Sequence, residues 1–583
     1  MARGAECEQG VLHRDANDAW VSETWADTGR RARVFAAALI DLGLQHGERV
    51  AIMSGTRYEW LWCDYGAICA GGVRTSVYPS SLPADVEHIL SDASARVVVA
   101  ESAAQIDALR DLRSALPELT VVISLDGSRE GDWLVPLEGV VSRGESVLAA
   151  QPYEALTGDD IAAILYTSGT TGRAKGVLLT HRSWNATLES LIAVDLLHED
   201  DVTLLWLPLA HAFGKALSLM AVRAGYLTYI DGNLDRIASN LDEVKPTFMC
   251  SVPRILEKIH ARVKTGAEAS PVKRRLLDWA ASVAMTTQEL ETTGERVPRK
   301  LGVQTKVADA LVLKKIRGAF GGRLRFLSSG SGALDPAIAK WFGGAGITVL
   351  EGCGLTEAGS TTSLNRIGEV EYGTVGKPLP GTEVAFDTDG EILVRSASVM
   401  KEYHGNPEAT AETFADDGWL RTGDVGMLTD RGNIRITDRK KNVFKTANGK
   451  YVAPSVIEAR FMAVCPYAAQ FVVVGESRRF VVGLIALDPV AMKDWAQERG
   501  VTYSDFAELM RTDEVQALAQ GYVDELNLDL NRWEQIKKFV LLDRELTIEA
   551  GDLTPSMKLR RKAVERSFEG DIAAQYVEES SHQ

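Results

Sequence analysis

A stretch of eleven residues, YTSGTTGRAKG from Tyr166 to Gly176, concentrates the residue types that hold phosphate. Five of its first six residues bear a hydroxyl, namely Tyr166, Thr167, Ser168, Thr170 and Thr171, and Gly169, Gly172, Gly176 and the cation Lys175 complete the pattern. Glycine lets a backbone approach a ligand closely, and N–H groups, hydroxyls and a cation form a nest for phosphate oxygens. The spacing is not that of a Walker loop, because the residue directly before Lys175 is not a glycine. The alternative to a phosphate-binding loop is an ordinary surface loop rich in Gly and Thr. The order of the residues in this stretch makes that alternative the weaker interpretation.

Two later stretches carry similar chemistry. SSGSGALDP (328–336) is a Gly/Ser turn of the kind that joins strand to helix, and its glycines at Gly330 and Gly332 are a weak signal alone. In EGCGLTE (351–357), Thr356 offers a hydroxyl to a phosphate, and Glu357 offers a carboxylate to Mg²⁺, a cation that takes few protein carboxylates plus substrate phosphates. An ordinary surface glutamate is the alternative for Glu357.

Three charged residues in the second half of the chain complete the set. Asp424 in RTGD could accept two ribose hydroxyls, or could simply stabilise its own turn. Arg439, in the charged run DRKKN, could hold a ribose or a phosphate. Lys558, in PSMKLRR, could neutralise charge in a closed active site if its domain moves. Solvated surface residues are the alternative for the last two.

The elements around these residues predict an α/β fold. The apolar run IAAIL (161–165) reads as a buried strand, and LLTHRSWNATLESLI after the loop reads as a helix, so the loop is expected to join a strand to a helix. Helix and strand patterns alternate before the loop and again from about 203 to 330, which predicts two doubly wound subdomains with parallel sheets. Ligands in such sheets bind beyond the carboxyl ends of the strands.

The composition and the predicted secondary structure change after about residue 370. Frequent Gly and Pro between short alternating strands predict a small antiparallel barrel or sheet, and residues 424–441 form a candidate hinge. We therefore predict a large N-terminal domain, residues 1–437, and a small mobile α+β domain, residues 438–583. A helical segment rich in Lys and Arg, about 264–317, interrupts the large domain; it is either a solvated hairpin or a basic surface for an anionic membrane or for acyl substrate delivery.

Composition narrows the classes of function. The 583 residues carry a net charge of −16, which argues against a nucleic-acid binder. The six cysteines form no CxxC pair, so reduced thiols are expected rather than a zinc knuckle or a disulfide framework. The N-terminus lacks an apolar signal core, and no uncharged run of 18 apolar residues is present. A cytoplasmic protein is predicted, with peripheral contact to the inner membrane face left open.

Five motifs in order between 166 and 558 resemble those of the adenylate-forming enzymes: YTSGTTGRAKG, GCGLTE, RTGD, DRKKN and PSMK. The form DRKKNVFK, the following NGKYVAPSVIE and the helical insertion are most similar to the long-chain fatty acyl-CoA synthetases. The resemblance implies two half-reactions. A fatty acid carboxylate attacks the α-phosphorus of ATP, with Mg²⁺, to give acyl-adenylate and pyrophosphate; CoA then takes the acyl group and AMP is released.

The resemblance also implies a role for each motif residue. Thr356 would contact the α-phosphate, and Glu357 would hold Mg²⁺. The residues that would enclose the β- and γ-phosphates are Thr167, Ser168, Gly169, Thr170, Thr171 and Lys175. Lys558 would bridge the carboxylate and the α-phosphate, and Lys441 would be the pivot that swaps Lys558 for the loop at Gly449 on the CoA path. Asp424 and Arg439 would contact the ribose. His211 would lie at the acyl pocket, or could equally be a hydrogen-bonded histidine at the start of a helix. The remaining nucleotide contacts would be Gly330, Gly332, Gly352, Cys353 and Gly354.

Two residues depart from the family pattern. Cys353 stands where an aromatic residue usually stacks on adenine, and Asn442 replaces an aspartate of the hinge motif. Both changes leave Lys558, Glu357 and the phosphate loop in place. Two alternatives stay open: a ligase that loads a carrier protein instead of CoA, and a silent protein that binds acyl-adenylates or lipids. The sequence fixes neither the acyl chain length nor the oligomeric state, a homodimer included.

Overall fold

The computed structural model describes residues 10–128, 132–149, 155–167, 173–268 and 270–577. The elements below are numbered in chain order. No helix in these ranges combines the length and the apolar composition that crossing a bilayer requires.

The first layer is an eight-stranded sheet in the order β19-β9-β8-β4-β3-β5-β6-β7. Its strands are β3 (Arg49–Met53), β4 (Val73–Val77), β5 (Ala95–Ala100), β6 (Val121–Ser124), β7 (Leu134–Pro136), β8 (Ile161–Thr167), β9 (Lys175–Thr180) and β19 (Glu402–Tyr403). Strands β8 to β7 run parallel, whereas β9 pairs antiparallel with both β8 and β19. Its helices are α1 (Trp25–Asp41), α2 (Tyr58–Cys69), α3 (Pro83–Asp92), α4 (Ala103–Asp111), α5 (Leu137–Val147) and α6 (His181–Ile192).

The second layer consists of two adjoining sheets. One has the order β10-β11-β1-β2, and the other has the order β12-β13-β14-β15-β16. The strands are β1 (Gly10–Arg14), β2 (Trp20–Thr24), β10 (Val202–Leu205), β11 (Leu227–Ile230), β12 (Phe248–Ser251), β13 (Phe326–Ser329), β14 (Thr348–Cys353), β15 (Ser363–Leu364) and β16 (Lys377–Pro378). The Thr247 N–H donates to the Val202 carbonyl at 2.8 Å and ties the sheets together.

Helices cover this second layer and include the basic segment. They are α7 (Ala212–Ala224), α8 (Ile237–Val244), α9 (Pro253–Glu268), α10 (Pro271–Thr293), α11 (Arg299–Ala308), α12 (Lys314–Gly318) and α13 (Pro336–Gly344). A π-helical turn, Asp309–Leu313, joins α11 to α12. The Thr287 and Thr305 hydroxyls lie 2.7 Å apart and fasten α10 to α11. The insertion is therefore mainly helical, as the sequence predicts, with a break at residues 294–298 between α10 and α11.

A small antiparallel sheet follows, in the order β17-β18-β20-β21. Its strands are β17 (Thr382–Phe386), β18 (Glu391–Ser396), β20 (Leu420–Leu428) and β21 (Ile434–Arg439), and α14 (Pro407–Thr413) packs beside it. The apolar side chains of Ile392, Val394 and Ile434 form its buried centre. These Gly- and Pro-punctuated strands lie where the sequence predicts a barrel or sheet.

The last 140 residues contain their own apolar core, built around Phe461, Phe471 and Trp495. The elements are β22 (Phe444–Lys445), β23 (Tyr451–Val452), β24 (Ala468–Val474), β25 (Val481–Leu487), β26 (Ile536–Leu541), α15 (Pro454–Val464), α16 (Pro489–Arg499), α17 (Phe506–Arg511), α18 (Asp513–Asn527), α19 (Arg561–Ser567) and α20 (Glu569–Val577). The predicted mixed α/β class, with a large first part and an α+β end, is confirmed. The boundary at residue 437 stays a prediction.

One local prediction is wrong. The phosphate loop does not run from a strand into a helix, because Lys175–Thr180 forms strand β9, antiparallel to β8. Thr167 lies opposite Lys175, so the loop closes a β-hairpin. The helix begins only at His181, where the Thr180 hydroxyl caps it by accepting from the Ser183 N–H. The apolar run GVLL suits either element, and pairing with β8 and β19 decides for the strand.

Candidate active site

A tight turn between β26 and α19 presents Lys558. The Thr554 N–H donates to the Lys558 carbonyl at 2.8 Å, and the Lys558 N–H donates to the Thr554 hydroxyl at 3.0 Å. Met557 between them has a left-handed backbone, with φ of 62°. Below the turn, Asp552 is fully buried and forms an ion pair with Arg544 at 2.5 Å. The lysine thus sits at the tip of a braced loop.

Lys558 points into a group of charged residues from the large part of the chain. Removal from bulk water lowers the pKa of Lys558, and the nearby Arg439 lowers it further, whereas Glu357 and Asp424 oppose the shift. The side chain keeps access to solvent at the cleft surface while protein surrounds it on both sides. The structure therefore brings together four residues that the sequence separates by up to 201 positions.

Asp424 and Arg439 form the edge of this group. They lie opposite each other on β20 and β21, with the Arg439 Nε 3.0 Å from the Asp424 Oδ1. Burial raises the pKa of Asp424, which is only 5% exposed, although Arg439 opposes that shift. The carboxylate in turn raises the pKa of Arg439, whose side chain is half exposed. A carboxylate and a guanidinium held at this edge suit the hydroxyls and phosphate of a nucleotide.

Glu357 is held by a residue that the sequence analysis missed. The Tyr403 hydroxyl donates to the Glu357 Oε1 at 2.8 Å, and the Lys175 Nζ lies 5.0 Å from the centre of the Tyr403 ring. Burial raises the pKa of Tyr403, and the Glu357 carboxylate raises it further, so the phenol stays a donor. Pairing of β19 with β9 places Tyr403 there. No sequence pattern marks it, since it is a lone tyrosine on a two-residue strand.

The turn after β14 is shaped by close packing. A Cβ on Gly354 would lie 1.4 Å from the Ser360 carbonyl oxygen, so only glycine fits. The neighbouring Cys353 borders the same cavity as Asp424 and Lys558, and burial raises the pKa of its thiol to about 12. Gly352 also borders this cavity, while Thr356 and Glu357 form a short 3₁₀ turn behind it. The Cys353 thiol is therefore neutral near pH 7, and its reactive thiolate form is not populated.

One cavity of about 2330 Å³ runs from this charged group into the large part of the chain. Gly330 and Gly332 border it, as does His211, whose Nδ1 accepts from the Phe213 N–H at 3.1 Å and caps α7. Burial lowers the pKa of His211 to about 3, helped by Lys558, so the imidazole is neutral. His211 thus fills both roles that the sequence left open, helix cap and cavity wall.

Beyond His211 the cavity becomes apolar. It passes between α8, α9 and the residue after α12, and its apolar lining includes Ile237, Leu241, Val252, Ile259, Val263 and Phe320. Such a lined arm suits a hydrocarbon chain, because apolar surface is driven out of water.

Glu351, Glu257 and Asp335 are among the carboxyl groups that line the cavity. Burial raises the pKa of Glu351 to about 8 and that of Glu257 to about 7, and Asp335 adds to both shifts. Burial likewise raises the pKa of Asp335. Sequence reasoning missed these groups, since their burial arises only from tertiary packing.

The predicted hinge lies at the surface between the two parts. Lys441 is exposed and borders the cavity, and the Asn442 N–H donates to the Arg439 carbonyl at 2.9 Å in a turn. Gly449 closes the hairpin of β22 and β23 with φ of 74° and lies outside the cavity lining. The structure thus brings Lys558 to the charged group and leaves Gly449 away from it.

One acidic group in the described ranges has the spacing of a metal site, namely Asp387, Asp389 and Glu391. Cations of the protein already occupy it. The Lys440 Nζ lies 2.5 Å from the Asp389 Oδ2 and 2.9 Å from the Glu391 Oε2, and Arg421 pairs with Asp387 at 2.7 Å. The group therefore holds Lys440, which precedes the proposed pivot Lys441, and its carboxylates are already paired with cations of the protein.

The predicted phosphate-loop residues Ser168, Gly169, Thr170 and Thr171 lie outside the described residues. The two ends of the loop are described. Beside them, the Tyr166 hydroxyl donates to the Asp92 Oδ2 at 2.6 Å, and a ring nitrogen of His88 lies 2.8 Å from the Ala174 carbonyl oxygen. Both ends are therefore fixed to α3.

Comparison with known proteins identifies the class. A family model described as AMP-binding enzyme matches residues 5–404, and one described as AMP-binding enzyme C-terminal domain matches residues 441–580. The chain belongs to the AMP-binding enzyme family.

Particular relatives extend over nearly the whole chain. The long-chain-fatty-acid–CoA ligase FadD15 of Mycobacterium bovis is 35% identical over 98% of this chain and 94% of its own length. The peroxisomal long chain acyl-CoA synthetase 7 of Arabidopsis thaliana is 29% identical over 95% of this chain and 81% of its own. The adenylation domain of a carboxylate reductase from Mycobacterium chelonae superposes with a TM-score of 0.78 at 21% identity, over 98% of this chain and 89% of that domain. This last likeness concerns the fold.

Proposed function

We propose that the protein is a long-chain fatty acid–CoA ligase that works through an acyl-adenylate. One observation carries the proposal: a single cavity joins an apolar arm to a charged end that holds Lys558, Asp424 and Arg439. The arm suits an alkyl chain, and the charged end suits the carboxylate and a nucleotide. The names of relatives from bacteria and plants support the same substrate class.

In the first half-reaction, an oxygen of the fatty acid carboxylate attacks the α-phosphorus of ATP. The bond to the bridging oxygen breaks, and pyrophosphate leaves with that electron pair. Lys558 would lie between the two anions and offset their repulsion, which is greatest as they meet. Asp424 and Arg439 would hold the ribose, and Thr356 would contact the α-phosphate. The phosphate loop from Thr167 to Lys175 would hold the leaving group.

Mg²⁺ fits this donor set. Tyr403 occupies the Oε1 atom of Glu357, and the carboxylate is a hard oxygen donor of the kind that Mg²⁺ takes together with phosphates. When bound, the ion would neutralise phosphate charge. The part played by the chain is to orient the Glu357 carboxylate through Tyr403 and to keep Lys175 close on the other side of that ring.

In the second half-reaction, the sulfur of CoA attacks the acyl carbon, the bond to the AMP oxygen breaks, and the thiol proton is lost. We infer that residues 438–583 rotate about Lys441 between the two steps, moving Lys558 out and the Gly449 hairpin towards the CoA path. The residues that would contact the nucleotide are Gly330, Gly332, Gly352, Cys353 and Gly354, and His211, which lines the cavity, would lie at the acyl pocket.

The alternatives have less support. A ligase that loads a carrier protein would share the first half-reaction, but the relatives cited above are named for CoA. A silent binding protein would have no use for Lys558 beside Glu357 and Asp424. We further infer a cytoplasmic enzyme that touches the inner face of the membrane, with a homodimer as one open possibility.

The test is to follow pyrophosphate and AMP with ATP, Mg²⁺ and fatty acids from about C6 to C20, with and without CoA. Pyrophosphate in the presence of acid, and AMP with acyl-CoA only when CoA is added, is the expected result. Pyrophosphate without acyl-CoA would favour carrier-protein loading. Absence of pyrophosphate with every acid would refute the proposal.

A further inference from the structure

We propose that one exposed face of the helical insertion docks onto an anionic membrane surface and so brings the acyl cavity to its lipid substrate. The face runs from α11 through the π turn into α12, residues 299–315. It spans about 24 Å at 1.5 Å per residue. The delivery role rests on the proposed function, whereas binding to a membrane does not.

Three large apolar side chains stand exposed along this face. Val303, Val307 and Leu311 are 63%, 45% and 48% exposed. Their spacing of four residues puts them in one row. Positions four apart advance by about 40° around an α-helix, and the wider π turn takes up part of that drift. The row therefore stays on one face from α11 into the π turn instead of winding around the helix.

Five exposed cations flank the row. Arg299 and Lys300 stand at its start, Lys306 beside its middle, and Lys314 and Lys315 at its end. None of the five forms an ion pair with any described residue, whereas Arg317 on the inner side pairs with Asp309 at 2.7 Å. Because the whole chain has a net charge of −16, the positive charge of this face is local to it. Apolar residues between cations are typical of helices that lie in a membrane interface.

The face adjoins the apolar arm of the cavity. Ala319 and Phe320, which follow α12 directly, line that arm, as do Arg262 and Val263 near the end of α9. A chain seated on lipid through α11 and α12 would hold this end of the cavity next to the bilayer. A fatty acid could then pass between membrane and cavity over a short path through water.

Charge and the apolar row argue against the two other occupants of such a face. A second copy of the chain, related by a twofold axis, would bring the same five cations against each other. A nucleic acid would be repelled by the remaining acidic surface in the same way as an anionic membrane. It offers no hydrocarbon layer for Val303, Val307 and Leu311, however, so the apolar row favours the membrane.

The experiment is flotation of the full-length protein with vesicles of phosphatidylcholine alone and with phosphatidylglycerol added, at low and high salt. We expect binding to the anionic vesicles that weakens with salt, and little binding to the neutral ones. The variant K306Q/K314Q/K315Q should lose about 100-fold in vesicle affinity, from about fivefold for each cation removed. The matched control K493Q/R511Q/R532Q changes the same charge at exposed positions of the C-terminal part and should bind as the parent does.

A second variant tests the apolar row. V307Q/L311Q should also weaken binding to anionic vesicles, and both insertion variants should keep the parent activity on a short soluble acid, which shows that they fold. Equal binding to neutral and anionic vesicles, unchanged binding of K306Q/K314Q/K315Q, or no binding of the parent would overturn the assignment. A shift of K306Q/K314Q/K315Q from dimer to monomer without loss of vesicle binding would favour a second copy and also overturn it.

Discussion

The hydroxyl of Tyr403 donates a hydrogen bond of 2.8 Å to the Oε1 atom of Glu357. Tyr403 lies on β19, which reaches the site because it pairs with β9, whereas Glu357 lies in the 3₁₀ turn after β14. The contact orients the Glu357 carboxylate, whose other oxygen would face Mg²⁺ in the proposed reaction. It also makes Tyr403 a positioning residue for the proposed first half-reaction.

Replacement of Tyr403 by Phe removes that hydrogen bond and keeps the ring beside Lys175. We expect the Mg²⁺ concentration for half-maximal pyrophosphate release to rise by about tenfold, since one hydrogen bond to a charged group contributes about 1.5 kcal/mol. The dependence on fatty acid concentration should change little. Tyr503→Phe, in the C-terminal part, serves as the control. An equal change in both dependences would contradict the positioning role.

Replacement of Lys558 by Ala should separate the two half-reactions. Without the amine, nothing at this position would offset the repulsion between the fatty acid carboxylate and the α-phosphate of ATP. We therefore expect pyrophosphate release to fall by about 10²- to 10³-fold. Thioester formation from supplied acyl-adenylate and CoA should stay within a few-fold, because Lys558 would have moved away. Rapid-quench measurement of both steps checks this. A comparable loss in both steps would mean that Lys558 does not leave the site.

The pair formed by Arg560 and Asp85 bears on the proposed rotation. The Arg560 Nη2 lies 3.6 Å from the Asp85 Oδ2, and this ion pair joins the Lys558 loop to α3 of the large part. Both side chains are about one-third exposed, so their attraction is at most about 1 kcal/mol. Arg560→Gln should slow adenylation by no more than about fivefold and leave thioester formation unchanged.

The control for Arg560→Gln is Arg566→Gln, on the same helical segment, where the guanidinium contacts only the Lys562 carbonyl in the described contacts. A double-mutant cycle with Asp85→Asn isolates the pair. Slowing of both half-reactions by the same factor would argue that the contact serves stability rather than the adenylation state.

Glu351 predicts a dependence of stability on pH. Burial raises its pKa to about 8, so the folded state holds a proton that the unfolded state, near 4.5, has lost. Stability therefore falls as pH rises from about 5 to about 8, by up to about 1.4 kcal/mol per pH unit for this group. Glu351→Gln should flatten the dependence of unfolding free energy on pH in that window. A parallel curve for the variant would show that Glu351 does not titrate there.

Much of the site could be predicted because its motifs are local. A hydroxyl and a carboxylate in GLTE, an aspartate in RTGD and a lysine in PSMK carry their chemistry in adjacent residues, and alternation of helix and strand patterns gave the α/β class. The hairpin at the phosphate loop could not be predicted, since GVLL is compatible with either element until β19 pairs with β9. Tyr403, Glu351 and Glu257 could not be found either, because burial and partners arise only after distant segments pack.

The protonated carboxyl groups that line the cavity affect how the fatty acid enters it and how the acyl thioester leaves it. A fatty acid enters as an anion, whereas an acyl thioester leaves with its acyl end uncharged. At about pH 6 the carboxyl groups of Glu257 and Glu351 are mostly protonated and treat both alike. Well above pH 8 both groups would be charged and would repel the acid but not the acyl end of the product. Entry of the acid would then slow as alkalinity rises, before any chemistry takes place.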